Sequence, residues 1–581
     1  MRLDSEFNAS LIQREFGSQS RRAPIPSESV GEARMSAPLN AARAVKGAGE
    51  TRTLDAIVIG AGIAGLYQLY QLRKLGLKVR AYDNAGDVGG TWHWNRYPGA
   101  KLDSDSYAYQ YLFSEDLYKD WSWSARYATQ PEVERWLHYV ADRLALRNDI
   151  QFSTSIVQAI YDEDRGRWTV HTDGGEVIDT RFLITCCGML SAPMSDLFEG
   201  QDSFDGEIFH TSRWPKEPVS LEGKRVGVIG IGASGIGVIQ AIAETVRELK
   251  VFVRNPQYVL PMINPDYGPE EVEAYKSRFA ELQATMPYST SGFDYDYKYK
   301  WAELSHEQRY QLLEDCYNSG SLRLWLASFA EMVTDEEVSD AISEFVREKM
   351  RARLKDPKLC DILIPKAHGF GTVRVPLEAG LLEIYRKPNV EAVSVKENTI
   401  TKVVPNGVQL ADGTVHELDV IILATGFDAG SGALTRIDIQ GRAGRKLKEE
   451  WNREIRTLMG LQVHGYPNLF TAGAPLAPSA AFCNAPTCLQ QQTEWITGCI
   501  KHMLSKNYTV AEASKQAEDD WVSLHDEATA NSLIARTQSW YTGSNVPGKQ
   551  RRVISYTGGV GTYRKLCDEI ASNGYRGFEM R

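Results

Sequence analysis

The stretch Ala56-Ile-Val-Ile-Gly60-Ala-Gly62-Ile-Ala-Gly65 decides the fold of this 581-residue chain. Its apolar run predicts a buried strand, its glycines predict a turn, and the amphipathic residues 66–75 that follow predict a helix. Gly60 permits the tight turn, Gly62 lets the backbone approach a pyrophosphate, and Gly65 lets the helix pack against the strand. Because the N-terminus of a helix attracts phosphate groups, the stretch predicts a Rossmann-like dinucleotide-binding unit.

The next predicted strand, residues 78–83, ends in Asp83. An acid about 20 residues beyond the third glycine can accept hydrogen bonds from both hydroxyls of a ribose. Asp83 therefore favours a nucleotide with an unphosphorylated ribose, as in FAD or NAD. The alternative is an ordinary solvated aspartate after a strand.

A second unit repeats this arrangement further along the chain, with a different residue at its tip. Its following strand, residues 250–254, ends in Arg254 instead of an acid. A guanidinium group suits the 2′-phosphate of NADP, so the two units together predict FAD plus NADPH. The alternative for Arg254 is a plain surface cation. The expected phosphate-binding residues of this second loop are Gly230, Gly232, Ser234 and Gly235.

Two further segments carry a resemblance to a known family. Residues 204–215 read FxGxxxHxxxWP, and residues 89–103 read (A/G)GxWxxxx(F/Y)P(G/M)xxxD. Both patterns resemble those of the Baeyer-Villiger monooxygenases, flavoenzymes that insert one oxygen atom of O2 next to a ketone carbonyl. The fingerprint positions in the first segment are Phe204, Gly206, His210, Trp214 and Pro215.

The resemblance implies how the flavin site is completed. Segment 89–103 is too rich in glycine, proline and aromatic residues for a helix or a central strand, so we expect a long ordered loop. His210 is expected to link domains and position this loop rather than to carry protons. The flavin contacts that the resemblance implies are Gly90, Thr91, Trp92, Asp103 and Tyr109.

The segment from Gly369 to Tyr385 resembles the family segment that delivers a catalytic arginine, which implies this role for Arg374. By the same resemblance, Asp103 faces and orients this arginine. NADPH would reduce FAD, and reduced flavin would carry oxygen to a ketone as a C4a-peroxide, giving an ester or lactone. A fixed guanidinium stabilises the anionic oxygen species of such a reaction.

The chain departs from the family pattern beside this arginine. Relatives commonly place lysine there for the 2′-phosphate, whereas this chain has Val373, which leaves Arg254 and Asn255 at the phosphate. Preference for NADPH over NADH is therefore open. Trp540 lies in a segment that resembles the mobile family loop over the nicotinamide, with a purely structural core role as the alternative.

These features predict an α/β protein with two Rossmann-like domains, for FAD and NADP, and a helical insertion in the NADP domain. Residues 1–52 are expected to be a mobile N-terminal extension, with a transit peptide as the less favoured alternative. The loop 287–299 could line a substrate entrance or be merely solvated. The expected domain ranges are 53–180 and 424–581 for FAD, and 192–410 for NADP with the insertion at about 265–365.

Composition narrows the class of protein. A net charge of −10 argues against a nucleic-acid surface, and no apolar run is long enough to span a membrane. Eight cysteines in so long a chain do not predict a disulfide framework, so a cytoplasmic enzyme is expected. Cys483 and Cys488 have the spacing of a redox pair, but they lie too far from the first nucleotide unit for that role. No metal site is predicted, and a monomer or weak dimer is expected.

Three functions fit these observations. A Baeyer-Villiger monooxygenase acting on a ketone with O2 is favoured. A flavin monooxygenase that oxidises nitrogen or sulfur, and a non-catalytic FAD- and NADP-binding redox sensor, are the alternatives. The size of the ketone is not specified by the fold.

Overall fold

The structure is a computed structural model that describes residues 51–581, and the expected N-terminal extension lies almost entirely outside them. In the larger sheet, the first glycine-loop strand, Arg52–Ile59, pairs in parallel with strands on both sides. The sheet order is Asp438–Gln440, Ile156–Asp162, Arg167–Thr172, Val177–Thr185, Arg52–Ile59, Val79–Tyr82 and Ile150–Gln151, with Leu469–Thr471 also pairing with Val177–Thr185.

The second glycine loop belongs to a separate parallel sheet. Its order is Val390–Ser394, Glu248–Val253, Arg225–Ile229, Val420–Leu423 and Glu207–His210. In each sheet the strand before the glycine loop pairs in parallel with a strand on either side, which confirms the predicted pair of Rossmann-like units. The strand Val420–Leu423 belongs to the second sheet, so the chain leaves that unit only after Leu423. Likewise, the first unit extends beyond residue 180 because its strand runs to Thr185.

Small antiparallel or short paired elements complete the β-structure. They comprise Leu260–Pro261 with Leu377–Glu378, the three strands Ile400–Val404, Gly407–Leu410 and Val415–Glu417, and Ala511–Ala513 with Phe578–Met580.

Helices cover both sheets and form the insertion between residues 265 and 365. Outside the insertion the α-helices are Ile63–Lys74, Thr91–Trp94, Glu115–Asp120, Gln130–Arg143, Ala233–Ile242, Leu381–Ile384, Gly432–Thr435, Leu447–Arg453, Ala485–Ser505, Lys515–Ala530, Leu533–Arg536 and Val560–Ser572. Within it they are Pro269–Ser277, Phe279–Thr285, His306–Asn318, Arg323–Leu326, Glu336–Leu354 and Pro357–Leu363.

Three of the insertion helices, His306–Asn318, Glu336–Leu354 and Pro357–Leu363, begin at side-chain caps that the sequence contains. Ser305 accepts a hydrogen bond from the amide of Gln308, whose side chain accepts one in return from the Ser305 amide. Asp335 caps the longest helix of the insertion by accepting from the amide of Val338. Polar caps followed by apolar stripes therefore specify these helices locally.

The apolar strands of both units are buried, and the first helix, Ile63–Lys74, packs against the helix Ala485–Ser505. Gln68 donates a hydrogen bond to the Thr497 hydroxyl, 3.0 Å away, within this contact. This contact joins the two chain segments of the FAD unit, which are far apart in sequence. Between residues 51 and 581, no helix combines the length and apolarity needed to cross a membrane.

Candidate active site

The first glycine loop has a geometry that side chains would obstruct. Gly60 has a φ of +109°, and a Cβ there would lie 2.4 Å from the Cys186 carbonyl oxygen. A Cβ on Gly65 would lie 1.9 Å from the Gly60 carbonyl oxygen, so the helix packs directly on the turn. Gly62 begins the helix and lies against Gly90, with its Cβ position 3.3 Å from the Gly90 Cα. This cradle fits a pyrophosphate.

Asp83 is buried beside this loop. Its carboxylate accepts hydrogen bonds from the amides of Ala61, at 2.6 Å, and Ala85, at 2.8 Å. Burial raises the pKa of Asp83, although these two amides lower it in part. Because a carboxylate has about four lone-pair sites, capacity for ribose hydroxyls remains. Asp83 therefore also stabilises the conformation of the loop through these two hydrogen bonds, which the sequence did not predict.

The second glycine loop is more open than the first. Gly230 has a φ of +102°, and a Cβ on Gly235 would lie 2.1 Å from the Gly230 carbonyl oxygen, as in the first loop. By contrast, a Cβ on Gly232 would meet no atom within 4 Å. The open space lies at the N-terminus of the helix Ala233–Ile242, where an anionic phosphate is favoured.

The residues at the tip of this unit face solvent. Arg254 and Asn255 are exposed, and Arg254 has no ion-pair partner within the described part of the chain. Its guanidinium is therefore available to a phosphate. Val373, which directly precedes Arg374, is half-buried and provides no charge.

The segment 89–103 connects the two units. Its Gly99 lies so close to the helix of the second unit that a Cβ there would be 2.1 Å from the Gly237 carbonyl oxygen. The prediction that this segment contains no helix is wrong, because Thr91–Trp94 forms a single helical turn after Gly90, whose φ is +53°. Glycines with positive φ allow this turn to start abruptly.

The indole of Trp92 in this turn is fixed by Tyr109. The Trp92 Nε1 donates a hydrogen bond to the Tyr109 hydroxyl at 2.9 Å. Burial raises the pKa of Tyr109 to about 12, so the phenol stays protonated. Thr91 is exposed at the start of the turn. These contacts fix the turn that carries the predicted flavin contacts.

Arg374 and Asp103 form an ion pair at the end of the same segment. Nη2 of Arg374 donates to Oδ2 of Asp103, and the two side chains are 22% and 26% exposed. Burial by itself lowers the pKa of Arg374, but the opposing effects of Asp103, Tyr541 and Tyr295 are larger and raise it above its ordinary value. The guanidinium therefore stays charged while part of it faces open space.

Residues near the C-terminus reach this ion pair. Tyr541 is fully buried, donates a hydrogen bond to the Ala481 carbonyl at 2.9 Å, and has its ring centroid 4.5 Å from that of Phe482. Trp540, which the sequence singled out, packs edge-on against Tyr541 and is only partly buried. The sequence did not predict Tyr541 or Phe482 as part of the site. For Tyr541 there was a signal, because this aromatic residue directly follows Trp540.

The loop 287–299 is buried only in its middle part. Phe293 and Tyr295 are stacked with ring centroids 5.1 Å apart, and each is at least 95% buried. The alternative that this loop is merely solvated is therefore wrong for Phe293 and Tyr295. Tyr288 and Tyr299, in the same loop, are exposed. The buried aromatic pair lies on the Arg374 side of the site.

His210 lies at the junction of the two units. Its Nδ1 accepts from the Ser212 amide at 3.1 Å, and its Nε2 is 3.3 Å from the Thr425 hydroxyl, just beyond the last strand of the second sheet. Burial lowers the pKa of His210 to about 4, so the ring is neutral at pH 7 and a weak base. In the same fingerprint, Trp214 packs on Phe209 with centroids 5.1 Å apart.

One cysteine pair differs from the expectation. The structure joins Cys483 and Cys488 in a disulfide at the start of the helix Ala485–Ser505, although the cysteine count did not predict disulfides. Cys483 lies just before the helix and Cys488 lies in its first turn, an arrangement that a count of cysteines cannot reveal. Cys186 is buried and Cys187 is half-buried. Within residues 51–581 no cluster of histidine, cysteine and acidic side chains could hold a metal ion.

Comparisons with known proteins agree with this architecture. Residues 54–315 match the family model for flavin-binding monooxygenase-like proteins. The chain is 63% identical to an acetone monooxygenase (methyl acetate-forming) from Gordonia sp. (strain TY-5), over 91% of this chain and 99% of that protein. It is 37% identical to a Baeyer-Villiger monooxygenase from Pseudooceanicola batsensis, over 90% of this chain and 95% of the relative.

Among solved structures, the fold matches that of OTEMO in complex with FAD and NADP. The TM-score is 0.88 at 38% sequence identity, and the match covers 92% of this chain and 100% of that one. Since sequence and structure match over most of the chain, it belongs to the Baeyer-Villiger monooxygenases, a family of flavin-dependent monooxygenases.

Proposed function

We propose that this protein uses FAD, NADPH and O2 to convert small open-chain ketones, such as acetone, into esters. The observation that carries the proposal is the Arg374–Asp103 ion pair, which lies where the segment from the first unit meets the second. The 63% identity to an acetone monooxygenase supports the substrate class.

The two loops differ in the nucleotide that they suit. The first, with Asp83 beside a closely packed pyrophosphate cradle, suits the unphosphorylated ribose of FAD. The second, with open space above Gly232 and the exposed Arg254, suits NADPH. The segment 89–103 contacts both loops, so it couples the two nucleotide sites.

FAD, when bound and reduced by NADPH, supplies the activated oxygen. The chain supplies charge and position: Arg374, held cationic, donates to the oxygen on which negative charge develops as the ketone carbonyl is attacked. Asp103 fixes the plane of the guanidinium and balances its charge beforehand. His210 keeps the two units in register and carries no proton in this scheme.

The test is a substrate panel with the purified holoenzyme, NADPH and O2. We expect acetone and butanone to give methyl or ethyl acetate, identified by mass, with one NADPH consumed per ester. Oxidation of an amine or thioether without ester formation would favour the nitrogen- or sulfur-oxygenating alternative. Absence of any substrate-stimulated NADPH oxidation would favour a redox sensor.

A further inference from the structure

The indole of Trp325 lies against the guanidinium of Arg374. The guanidinium carbon is 5.3 Å from the ring centroid, and Trp325 is only 3% exposed. Trp325 comes from the helix Arg323–Leu326 inside the insertion, whereas Asp103 reaches the same guanidinium from the first unit. Arg374 is thus held by a carboxylate at one nitrogen and by an aromatic ring at its face.

The loop that delivers Arg374 is shaped around this indole. Gly371, three residues before the arginine, has a φ of +80°. A Cβ at Gly371 would lie 2.9 Å from Cδ1 and 3.1 Å from Nε1 of Trp325. Any other residue would displace the indole or the loop, so the glycine and the tryptophan fit as a pair.

Trp325 is itself held from the loop 287–299. The Tyr297 hydroxyl donates to the Trp325 carbonyl oxygen at 3.0 Å, and the neighbouring Arg323 lies over the Tyr295 ring at 4.4 Å. These contacts fix the backbone at Trp325, and because its side chain is only 3% exposed, close packing leaves the indole little freedom to move away from Arg374.

We propose that Trp325 is a positioning residue for Arg374 and that its bulk sets the upper limit on ketone size. This inference rests on the proposed function, since it assumes that Arg374 faces the reacting ketone. A rigid ring on the guanidinium keeps the cation in one orientation, and misplacing a catalytic group by 1 Å costs on the order of 100-fold in rate. Because the buried indole lies directly against the guanidinium, it fills space beside the position proposed for the ketone, and a smaller side chain would open a cavity there.

The test compares Trp325→Phe and Trp325→Leu with a matched control, Trp301→Leu. Trp301 lies in the same insertion and stacks on Arg309 at 4.5 Å. Each variant is measured for FAD content, for the rate of flavin reduction by NADPH, for the ester formed per NADPH oxidised, and for kcat/KM with acetone and with cyclohexanone.

In Trp325→Leu we expect unchanged FAD content and flavin reduction, with ester per NADPH falling roughly 10- to 100-fold and hydrogen peroxide released instead. Trp325→Phe should recover much of the ester yield because it retains an aromatic face, yet it should still admit larger ketones. In both variants the cyclohexanone-to-acetone ratio of kcat/KM should rise at least about tenfold, the effect of a few methylene groups in an apolar pocket. Trp301→Leu should change neither quantity.

Wild-type ester yield and size preference in both Trp325 variants would overturn the inference, as would equal effects in Trp301→Leu. If Trp325→Leu does not retain FAD, the Trp325→Phe variant decides alone through the cyclohexanone-to-acetone ratio. Failure of the proposed function has a different signature, because the wild-type enzyme itself would then form no ester from any ketone.

Discussion

Arg374 donates a hydrogen bond to Asp103 although 271 residues separate them in the chain. Asp103 ends the segment that contacts both nucleotide loops, and Arg374 follows the helical insertion of the second unit. A shift of one unit against the other would therefore break this ion pair. The pair links the geometry of the two nucleotide sites to the position of the guanidinium.

The first prediction concerns Arg374. Arg374→Ala should bind FAD and oxidise NADPH, but ester formation should fall about 100- to 1000-fold because a preorganised donor to a developing oxyanion is lost. Arg374→Lys should recover little, since an ammonium group cannot reproduce the planar contact with Asp103. Ester and hydrogen peroxide are quantified together, with Arg309→Ala as a control outside the site. Ester formation at the wild-type rate would remove Arg374 from the mechanism.

The second prediction separates the two glycine loops. Gly232→Ala should fold normally, because the added Cβ meets no protein atom within 4 Å, and yet raise the KM for NADPH about tenfold or more through contact with the phosphates. FAD content should not change. Gly62→Val should do the reverse and yield apoprotein, because Gly62 lies directly against Gly90. Flavin absorbance and NADPH titration distinguish the two outcomes, and full flavin occupancy in Gly62→Val contradicts the assignment.

The third prediction concerns the choice of coenzyme. Arg254 is exposed, so Arg254→Ala should leave folding and the KM for NADH nearly unchanged. The KM for NADPH should rise, since a charge-assisted hydrogen bond to phosphate contributes about 1.5–3 kcal/mol. Val373→Lys should shift preference further toward NADPH. Steady-state kinetics with both coenzymes provides the measurement, and an unchanged ratio in both variants would refute the role of Arg254.

The fourth prediction is a pH dependence of stability from His210. Its pKa falls from 6.5 to about 4 on folding, so below pH 6.5 the unfolded chain binds the proton that the folded ring resists. The associated stability is fully present above pH 6.5 and is lost as the pH falls toward 4, by about 3 kcal/mol at 1.36 kcal/mol per unit. We expect the free energy of unfolding, measured with denaturant from pH 4 to 7, to depend less on pH in His210→Gln than in the wild type. In His306→Gln, where the histidine is exposed, it should depend on pH as in the wild type.

The sequence by itself determined the two nucleotide units. Each is a strand, a turn and a helix formed by consecutive residues, and the glycines at 60, 65, 230 and 235 are required by contacts within a few residues or with the adjacent strand. Such conformations depend on φ and on local sterics, which the residues themselves specify. Asp83 and Arg254 each follow the next strand after their glycine loop, so their positions are also specified by residues nearby in the chain.

Only the tertiary structure decided what surrounds Arg374. Asp103, Trp325 and Tyr541 come from three segments far apart in the chain, and no spacing or periodicity connects them. Likewise, the apolar run Val420–Leu423 predicts a strand but not the sheet to which it belongs. These arrangements arise from packing between distant segments, where burial and shape complementarity select one set of neighbours, and a linear pattern of residues does not contain that information.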